Sequence, residues 1–409
     1  MSSVIGSGIL VLPGLAAKIA GPGSLLAWGL LAVASLPFAL TFAALSARHP
    51  ESGGIYGFAR EAFGPTAALV SGWLFGLWEA TGAPAVALIA AAYLGYAFPL
   101  DRPETFVFGY AIVATAILVN YRGIVLSTRV QLAVIVSILA LLVVAIALTG
   151  ARVTPANFVP FLPYGLVPIG TAAALIFWSF LGYENVSNVA EEFEDPARDF
   201  PRSVYASVGI IGALYLGVAL VTVGTDAYAT GGGVAPFAVL LGHVVGPFGA
   251  EATALLAVFI IFGVVNAYTT GFSRVFYAAA RDGVFPRTFA ALDPRTRVPR
   301  RVLLGMLGAT SVVFVAYYAF SIDLTTALLF ASGAAILLYV IGSAAGVRLR
   351  PPLGARDRPL RWLPWISLAI SLLVLPFIGW PALAAFGVAL AALGYARWVR
   401  PRERPAIPG

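Results

Sequence analysis

Glycine and polar residues interrupt an apolar stretch near the start of the chain, which reads Val4-Ile5-Gly6-Ser7-Gly8-Ile9. Small residues let a ligand approach the main chain, and the N–H groups of a helix that begins here suit a carboxylate. The Ser7 hydroxyl can add a hydrogen bond. The alternative interpretation is close packing of helices through small residues, which is common in membrane proteins.

A second interruption reads Trp178-Ser179-Phe180-Leu181-Gly182-Tyr183-Glu184-Asn185. Carbonyl groups that end a half-helix suit an ammonium group, and Trp178 or Tyr183 can cover a ligand by packing or by a cation-π contact. The first interruption suits a carboxylate and the second suits an ammonium group, so together they suit the two charged groups of an amino-acid zwitterion. The Gly-x-Gly pattern of the first interruption is not a dinucleotide signature, because no strand precedes it and the third glycine is absent.

Two carboxyl groups lie inside apolar segments, where an ionisable group is costly unless it faces a cavity or a partner. Glu184 belongs to the second interruption and is a candidate for proton coupling or gating; the alternative is a carboxyl bonded to nearby backbone. Glu79 lies in Leu77-Trp78-Glu79-Ala80-Thr81. It is a candidate pocket residue, and the alternative is an interhelical hydrogen bond.

Asn266 and Tyr268 add polar groups at a comparable depth in a later apolar segment. Both are candidate pocket residues, although Asn and Tyr often only join helices in membranes. Asn185 and Asn188 lie one turn apart and favour a structural role.

Transmembrane helices must position these residues, because 60% of the chain is hydrophobic and only 11% is charged. The mean hydropathy is +0.93, which no soluble domain of this size sustains. Each crossing takes roughly 20 residues. We predict about twelve helices, a short one at the start and eleven more at 24–47, 66–98, 105–120, 128–150, 166–194, 203–224, 249–280, 301–320, 324–346, 362–380 and 382–399.

The two interruptions fall in the first and the sixth predicted helix, five helices apart. In a bundle of two inverted five-helix repeats, the first helix of each repeat is the discontinuous one and the substrate site lies between them. We therefore expect a single all-α transmembrane domain over 1–409. Repeat one covers about 1–150, repeat two covers about 166–346, and two peripheral helices occupy 362–399.

Basic residues alternate between the predicted loops. Of the 25, all except Lys18, Arg102 and Arg152 fall in alternate loops or at the C-terminus. The positive-inside rule then places both termini in the cytoplasm. The formal charge of +7 therefore reflects membrane topology and argues against nucleic-acid binding.

Cysteine is absent and His49 and His243 are the two histidines. This composition excludes disulfides, thiol catalysis and metal sites built from Cys and His. We expect no cofactor and no metal. An enzyme is disfavoured, because no nucleophile, base and orienting group converge.

Five motifs occur in the same order as in the amino acid/polyamine/organocation transporter superfamily, which the chain resembles along essentially its whole length. They are Ile5-Gly6-Ser7-Gly8-Ile9; Pro50-Glu51-Ser52-Gly53-Gly54-Ile55-Tyr56 with Ala62-Phe63-Gly64; Phe180-Leu181-Gly182-Tyr183-Glu184-Asn185; Glu192-Phe193-Glu194-Asp195-Pro196 with Phe200-Pro201-Arg202; and Ala280-Arg281-Asp282-Gly283-Val284-Phe285-Pro286. Within the superfamily the chain is most similar to bacterial exporters of methionine and branched-chain amino acids, on Leu12-Pro13-Gly14, Pro22-Gly23-Ser24 and the stretch 192–202.

The resemblance implies the leucine-transporter fold and a set of binding roles. Backbone amides around Ser7 and Gly8 take the substrate carboxylate, and carbonyls near Val4, Trp178 and Leu181 take its ammonium group. Trp178 is implied to be an aromatic gate. Glu184 is implied to be the gating acid, and Tyr268 an aromatic residue that recognises the substrate side chain. The fifth helix has no lysine, which some proton-coupled relatives use, so Glu184 is the remaining candidate for proton coupling.

These features predict a multi-pass protein of the bacterial inner membrane that transports amino acids by alternating access. We expect neutral aliphatic substrates (Leu, Ile, Val, Met). The similarity to bacterial amino-acid exporters favours export as the direction of transport. Protons are a candidate coupling ion. Two alternatives stay open at this point: a carrier of cationic amino acids or amines, for which Glu79 offers a counter-charge, and an amino-acid sensor that does not transport.

Relatives in the superfamily have about three further helical turns before the Gly-Ser-Gly interruption. Here Met1 to Ile5 precede it, too few residues to reach the cytoplasm at 1.5 Å per residue. Either the start codon is misassigned or this variant lacks its inner gate. We favour a misassigned start, so that the first helix is truncated at its N-terminus.

Overall fold

The computed structural model describes residues 6–46, 54–123, 128–182, 196–229, 233–349 and 361–398. Across these residues the chain forms fourteen α-helices and no β-strand. The helices are α1 (Leu12–Ala20), α2 (Ser24–Ser46), α3 (Ile55–Phe63), α4 (Pro65–Ala97), α5 (Arg102–Tyr121), α6 (Thr128–Thr149), α7 (Val167–Ile176), α8 (Pro196–Gly224), α9 (Pro236–Val245), α10 (Pro247–Arg281), α11 (Arg300–Ala319), α12 (Leu324–Leu349), α13 (Leu363–Val374) and α14 (Ala382–Trp398). The predicted all-α class is confirmed.

Eight helical stretches of the described chain are long and apolar enough to cross a bilayer. They are α1 taken together with α2, and α4, α5, α6, α8, α10, α11 and α12. Helices α13 and α14 pass the same test only as a pair bent by 115°. Because about 20 helical residues span a hydrocarbon core of ~30 Å, the chain is a multi-pass membrane protein. The total of twelve crossings and the inverted repeat stay predictions.

The observed helix bounds follow the predicted apolar segments closely, except within 166–194 and at two short helices that have no predicted counterpart, α3 and α9. The segment predicted at 166–194 leaves the α-helix at Ile176 and continues as a 3-10 turn over Phe177–Phe180. Helix α3, over Ile55–Phe63, has no counterpart among the predicted segments. Its nine residues are too few to cross a bilayer and include charged Arg60 and Glu61, so hydropathy alone does not reveal it.

The chain leaves the α-helix at the first interruption as well. Gly6 is extended, with φ −105° and ψ 180°, and a 3-10 turn covers Ser7–Leu10 before α1 begins at Leu12. The two interruptions touch, since a Cβ placed on Gly8 would lie 2.5 Å from Cδ1 of Trp178. The helix breaks that are five predicted segments apart in sequence are therefore neighbours in space.

Helix α4 lies at the centre of the bundle. It is buried over most of its length. It packs against α3, α5, α10, α11, α12 and α14. Alanine and glycine recur along it, and such small residues let helices approach closely where lipid offers no hydrophobic driving force. Helix α4 therefore places Glu79 in the interior of the bundle.

The first turn of α1 packs against the segment that precedes α9. A Cβ on Gly14 would lie 2.1 Å from the carbonyl oxygen of Gly233, and Gly233 itself has φ +76°. Next to this contact, the Tyr93 hydroxyl of α4 donates to the carbonyl of Leu10 and accepts from the Phe237 N–H. Helix α9 is thus held against the first interruption by backbone contact and by a shared hydroxyl.

We predict that Gly14→Ala destabilises the protein by about 1–3 kcal/mol, because the added methyl group overpacks a backbone contact that cannot shift locally. The matched control is Gly29→Ala in α2, where a Cβ meets nothing within 4 Å and replacing a helical glycine is expected to be neutral or stabilising. Thermal unfolding in detergent measures both. Equal midpoints for the two variants would contradict the assigned contact.

Candidate functional site

A cavity lies where the two interruptions meet α4 and α10. It has a volume of about 520 Å³, part of it open at the mouth. Gly6, Ser7, Glu79, Trp178, Leu181 and Tyr268 of the predicted set line it, together with Trp78, Gly82, Ala83, Val86, Val264, Val265 and Phe272. Residues far apart in sequence therefore converge on one central space.

The first wall of the cavity is the start of the 3-10 turn at Ser7. The amide groups of a first helical turn have no acceptor within their own helix, so they are available to a ligand. Ser7 is buried and lines the cavity beside Gly6. Gly8 is not among the lining residues, because its open face is filled by the ring of Trp178.

The second wall is the end of the turn Phe177–Phe180. Leu181 is extended there, with φ −80° and ψ 159°, and Gly182 has φ +112°, a conformation that favours glycine. The Gly182 N–H donates to the hydroxyl of Tyr339 at 3.1 Å. The Trp178 carbonyl accepts from the Leu181 N–H at 3.4 Å, and an oxygen with two lone pairs has room for a second donor.

Trp178 is seated between two glycines. Its Cδ1 lies against Gly8, and its Cη2 would lie 2.9 Å from a Cβ placed on Gly82 of α4. The indole also meets Trp78 edge-on, with ring centroids 6.2 Å apart. The position of this ring therefore depends on the absence of side chains at two places.

Aromatic rings continue the lining along α4 and α10. Trp78 contacts Phe272 with centroids 5.6 Å apart, and Phe272 stacks on Tyr268 at 5.9 Å. Val264, Tyr268 and Phe272 recur every four residues and so lie on one face of α10. The result is a mostly apolar wall opposite the backbone of the interruptions.

Glu79 is the acidic residue in the lining. Its side chain is buried, with 6% exposure. In the part of the chain that the structure describes, Glu79 has no hydrogen bond and no ion pair. A carboxyl group at this depth without a protein partner is costly, and such residues usually mark a ligand or ion site.

Asn266 lies on a different face of α10. It is two residues from both Val264 and Tyr268, and residues at that spacing point away from each other on a helix. Its Oδ1 accepts from Nδ2 of Asn120 on α5 at 2.9 Å, and the Thr270 hydroxyl donates to Oδ1 of Asn120 at 2.6 Å. Asn266 therefore joins α10 to α5 and is not among the lining residues.

Three predicted site residues, Val4, Tyr183 and Glu184, lie outside the described residues. Their predicted roles in binding the ammonium group, covering the ligand and gating stay predictions.

Several lining residues were missed by the sequence analysis, although a helical spacing rule finds them. Counting three, four and seven residues on from Glu79 gives Gly82, Ala83 and Val86 on the same face of α4. Counting four residues in each direction from Tyr268 gives Val264 and Phe272. Trp78 lies four residues before Gly82, so the same rule reaches it only after Gly82 has been placed in the lining.

The sequence of the chain matches known transport proteins along almost its whole length. Residues 1–392 match the model of the family described as amino acid permease. The chain is 36% identical to the uncharacterized amino acid permease YecA of Bacillus subtilis, over 97% of this chain and 92% of that protein. It is 31% identical to the L-methionine/branched-chain amino acid exporter YjeH of Escherichia coli, over 96% and 92%. The branched-chain amino acid permease BcaP of Bacillus subtilis is 29% identical over 73% and 68%.

The family match covers nearly the whole chain, and the multi-pass helical fold is the one expected of a permease. The relatives are named as permeases and exporters, and none of these names describes an enzyme. The chain is a member of the amino acid permease family, within the amino acid/polyamine/organocation superfamily.

Proposed function

We propose that the chain is a secondary active transporter that moves neutral aliphatic amino acids across the bacterial inner membrane by alternating access. The observation that carries this proposal is the single cavity at which both helix interruptions meet. Irregular backbone at membrane depth is tolerated where it faces protein, water or a ligand.

The carboxylate of the substrate binds the start of the first 3-10 turn. The amides of Gly6, Ser7 and Gly8 and the Ser7 hydroxyl supply donors there, and the turn contributes the positive end of its dipole. Ser7 is buried, so a carboxylate that reaches it leaves water and forms stronger hydrogen bonds in a medium of low dielectric constant.

The ammonium group binds carbonyl oxygens on the facing wall. Trp178 and Leu181 line the cavity there, and Val4 is proposed to add a third carbonyl from the first interruption. The ring of Trp178 covers the ammonium group by a cation-π contact and acts as a gate, assisted by Tyr183.

The substrate side chain occupies the apolar part of the cavity. Val86, Val264 and Val265 offer aliphatic surface, and Phe272 and Tyr268 close it. Burying a leucine or valine side chain against such a surface contributes about 1.5–3 kcal/mol to binding. The printed names of YjeH and BcaP, which refer to methionine and branched-chain amino acids, support the same substrates. The name of YjeH also supports export as the direction.

The remaining features of the proposal concern the gate and the topology. Glu184 is the gating or proton-coupling acid next to the second interruption. The transmembrane domain consists of inverted repeats over about 1–150 and 166–346, with the C-terminus in the cytoplasm, as the distribution of arginine supports.

A carrier of cationic amino acids or amines is the second candidate. The observation that favours it is the buried carboxyl of Glu79 in the cavity lining, without a described partner. A positive substrate side chain would pair with it. The vacuolar cationic amino acid transporter 8 of Arabidopsis thaliana is 26% identical over 73% of this chain and 53% of that protein, which is weaker support than the relatives named for aliphatic substrates.

We predict that leucine, isoleucine, valine and methionine compete in counterflow of labelled leucine into proteoliposomes, and that arginine does not. The aliphatic surface of Val86, Val264 and Val265, which takes the substrate side chain in this proposal, desolvates a guanidinium group and offers it no hydrogen-bond acceptor. Competition by arginine alone would contradict the proposed substrate class. Substrate binding without flux would identify a sensor instead.

We predict that Glu79→Gln leaves leucine counterflow within about twofold of wild type, because the variant preserves shape and an aliphatic side chain needs no counter-charge. Counterflow of labelled leucine and labelled lysine is measured side by side. Loss of lysine flux with retention of leucine flux would favour the cationic carrier.

We predict that Gly82→Ala raises the KM for leucine roughly tenfold, equivalent to ~1.4 kcal/mol, because its methyl group displaces the ring of Trp178. Gly76→Ala on the same helix is the matched control, since its Cβ would be 3.9 Å from the nearest atom, in Phe285. An unchanged KM in Gly82→Ala, with normal thermal stability, would exclude Trp178 from the substrate site.

A further inference from the structure

A second cavity of about 560 Å³, partly open, lies beside the substrate cavity, between α4, α10 and α11. Its walls are aliphatic and aromatic, and Phe276, Phe285 and Met306 are prominent among them. None of its lining residues except Glu79 lines the substrate cavity.

Glu79 lines both cavities because of its position on α4. Gly76 and Ala80, three residues before and one after it, line the second cavity, whereas Gly82 and Ala83, three and four residues after it, line the first. Glu79 thus sits at the boundary between two faces of the same helix.

One wall of the second cavity is formed by exposed residues of α11. Gly305 and Ala309 line it and are exposed. They fall in one stripe with Val312, which is 70% exposed on a helix that is long and apolar enough to cross the membrane. A Cβ placed on Gly305 would lie 3.0 Å from Cε1 of Phe289, so the ring of Phe289 covers this glycine and Ala309 is the lining residue left on the exposed side.

Glu79 is one of two polar side chains in the lining of this cavity. The other polar side chain in the lining is Thr310, whose hydroxyl donates to the carbonyls of Met306 and Leu307. The Glu79 carboxyl is buried and has no partner among the described residues. The second cavity is therefore apolar except for one unpaired carboxyl group. A ligand that is complementary to it has an apolar body and one basic nitrogen.

We propose that the second cavity is a regulatory site for a small membrane-soluble primary amine with an alkyl or aromatic body. The neutral amine dissolves in the bilayer and enters the cavity past Ala309 on the exposed side of α11. A proton passes from the Glu79 carboxyl to the amine nitrogen, and the resulting ammonium and carboxylate pair in a medium of low dielectric constant. Phe276 and Phe285 pack against the body of the ligand. Because Glu79 also lines the substrate cavity, occupation of this site couples to substrate binding.

The test uses 2-phenylethylamine as the probe and thermal unfolding of the purified full chain as the readout, so it does not depend on which substrate is transported. We expect the amine to raise the unfolding midpoint of wild type by a few degrees, since a ligand that binds only the native state stabilises it. We expect no rise with 2-phenylethanol, which has the same body without the basic nitrogen.

Variants separate the two cavities. Ala309→Phe fills the second cavity from its exposed side without touching the substrate cavity, and we expect it to abolish the rise. Val312→Phe, on the same exposed stripe but outside the cavity lining, is the matched control and should keep the rise. Glu79→Gln should lose the rise as well, and Ala309→Leu is the smaller substitution to use if Ala309→Phe does not fold. A rise that persists in Ala309→Phe would place the amine in the substrate cavity, and an equal rise with 2-phenylethanol would remove Glu79 from recognition. Either result overturns the proposal.

Discussion

A bilayer offers no hydrogen-bond partners to a peptide group, so a helix that breaks inside it must satisfy its free backbone groups within the protein or with a ligand. Among the residues that the structure describes, breaks of this kind occur at Ser7–Leu10 and at Phe177–Phe180. The structure places them against each other. Much of the surrounding bundle can be understood as the support that two adjacent breaks require.

That support is largely aromatic. Tyr339 of α12 accepts the Gly182 N–H, and its ring is held edge-on by Phe38 and Phe177, with centroids 5.3 and 5.4 Å away. On the other side of the break, Phe180 packs against Trp28 and Tyr215. These large rings pack on both sides of the extended segment at Leu181 and Gly182 and support a stretch of backbone that lies outside any helix.

Helix α4 lies between the two cavities and contributes lining residues to both. Glycine and alanine give it a slim profile on both faces, so Trp178 approaches Gly82 on one side and the second cavity reaches Glu79 on the other. The Glu79 carboxyl therefore borders two mostly apolar cavities. In the proposed regulation, pairing of this carboxyl with a ligand in one cavity changes the binding free energy in the other.

Local composition was enough to predict the fold class, the bounds of most helices, the positions of both breaks and the family resemblance. Long apolar runs, glycine beside serine, and the placement of arginine carry these properties. The packing of the helices was needed to show that Trp78, Gly82 and Phe272 line the cavity, that Asn266 joins α10 to α5, and that Glu79 borders a second cavity. In a soluble protein the buried face of a helix is marked by its hydrophobicity. In a membrane protein the lipid-facing side is as apolar as the interior, so the sequence does not indicate which face of a helix meets a cavity, and packing against the neighbouring helices settles it.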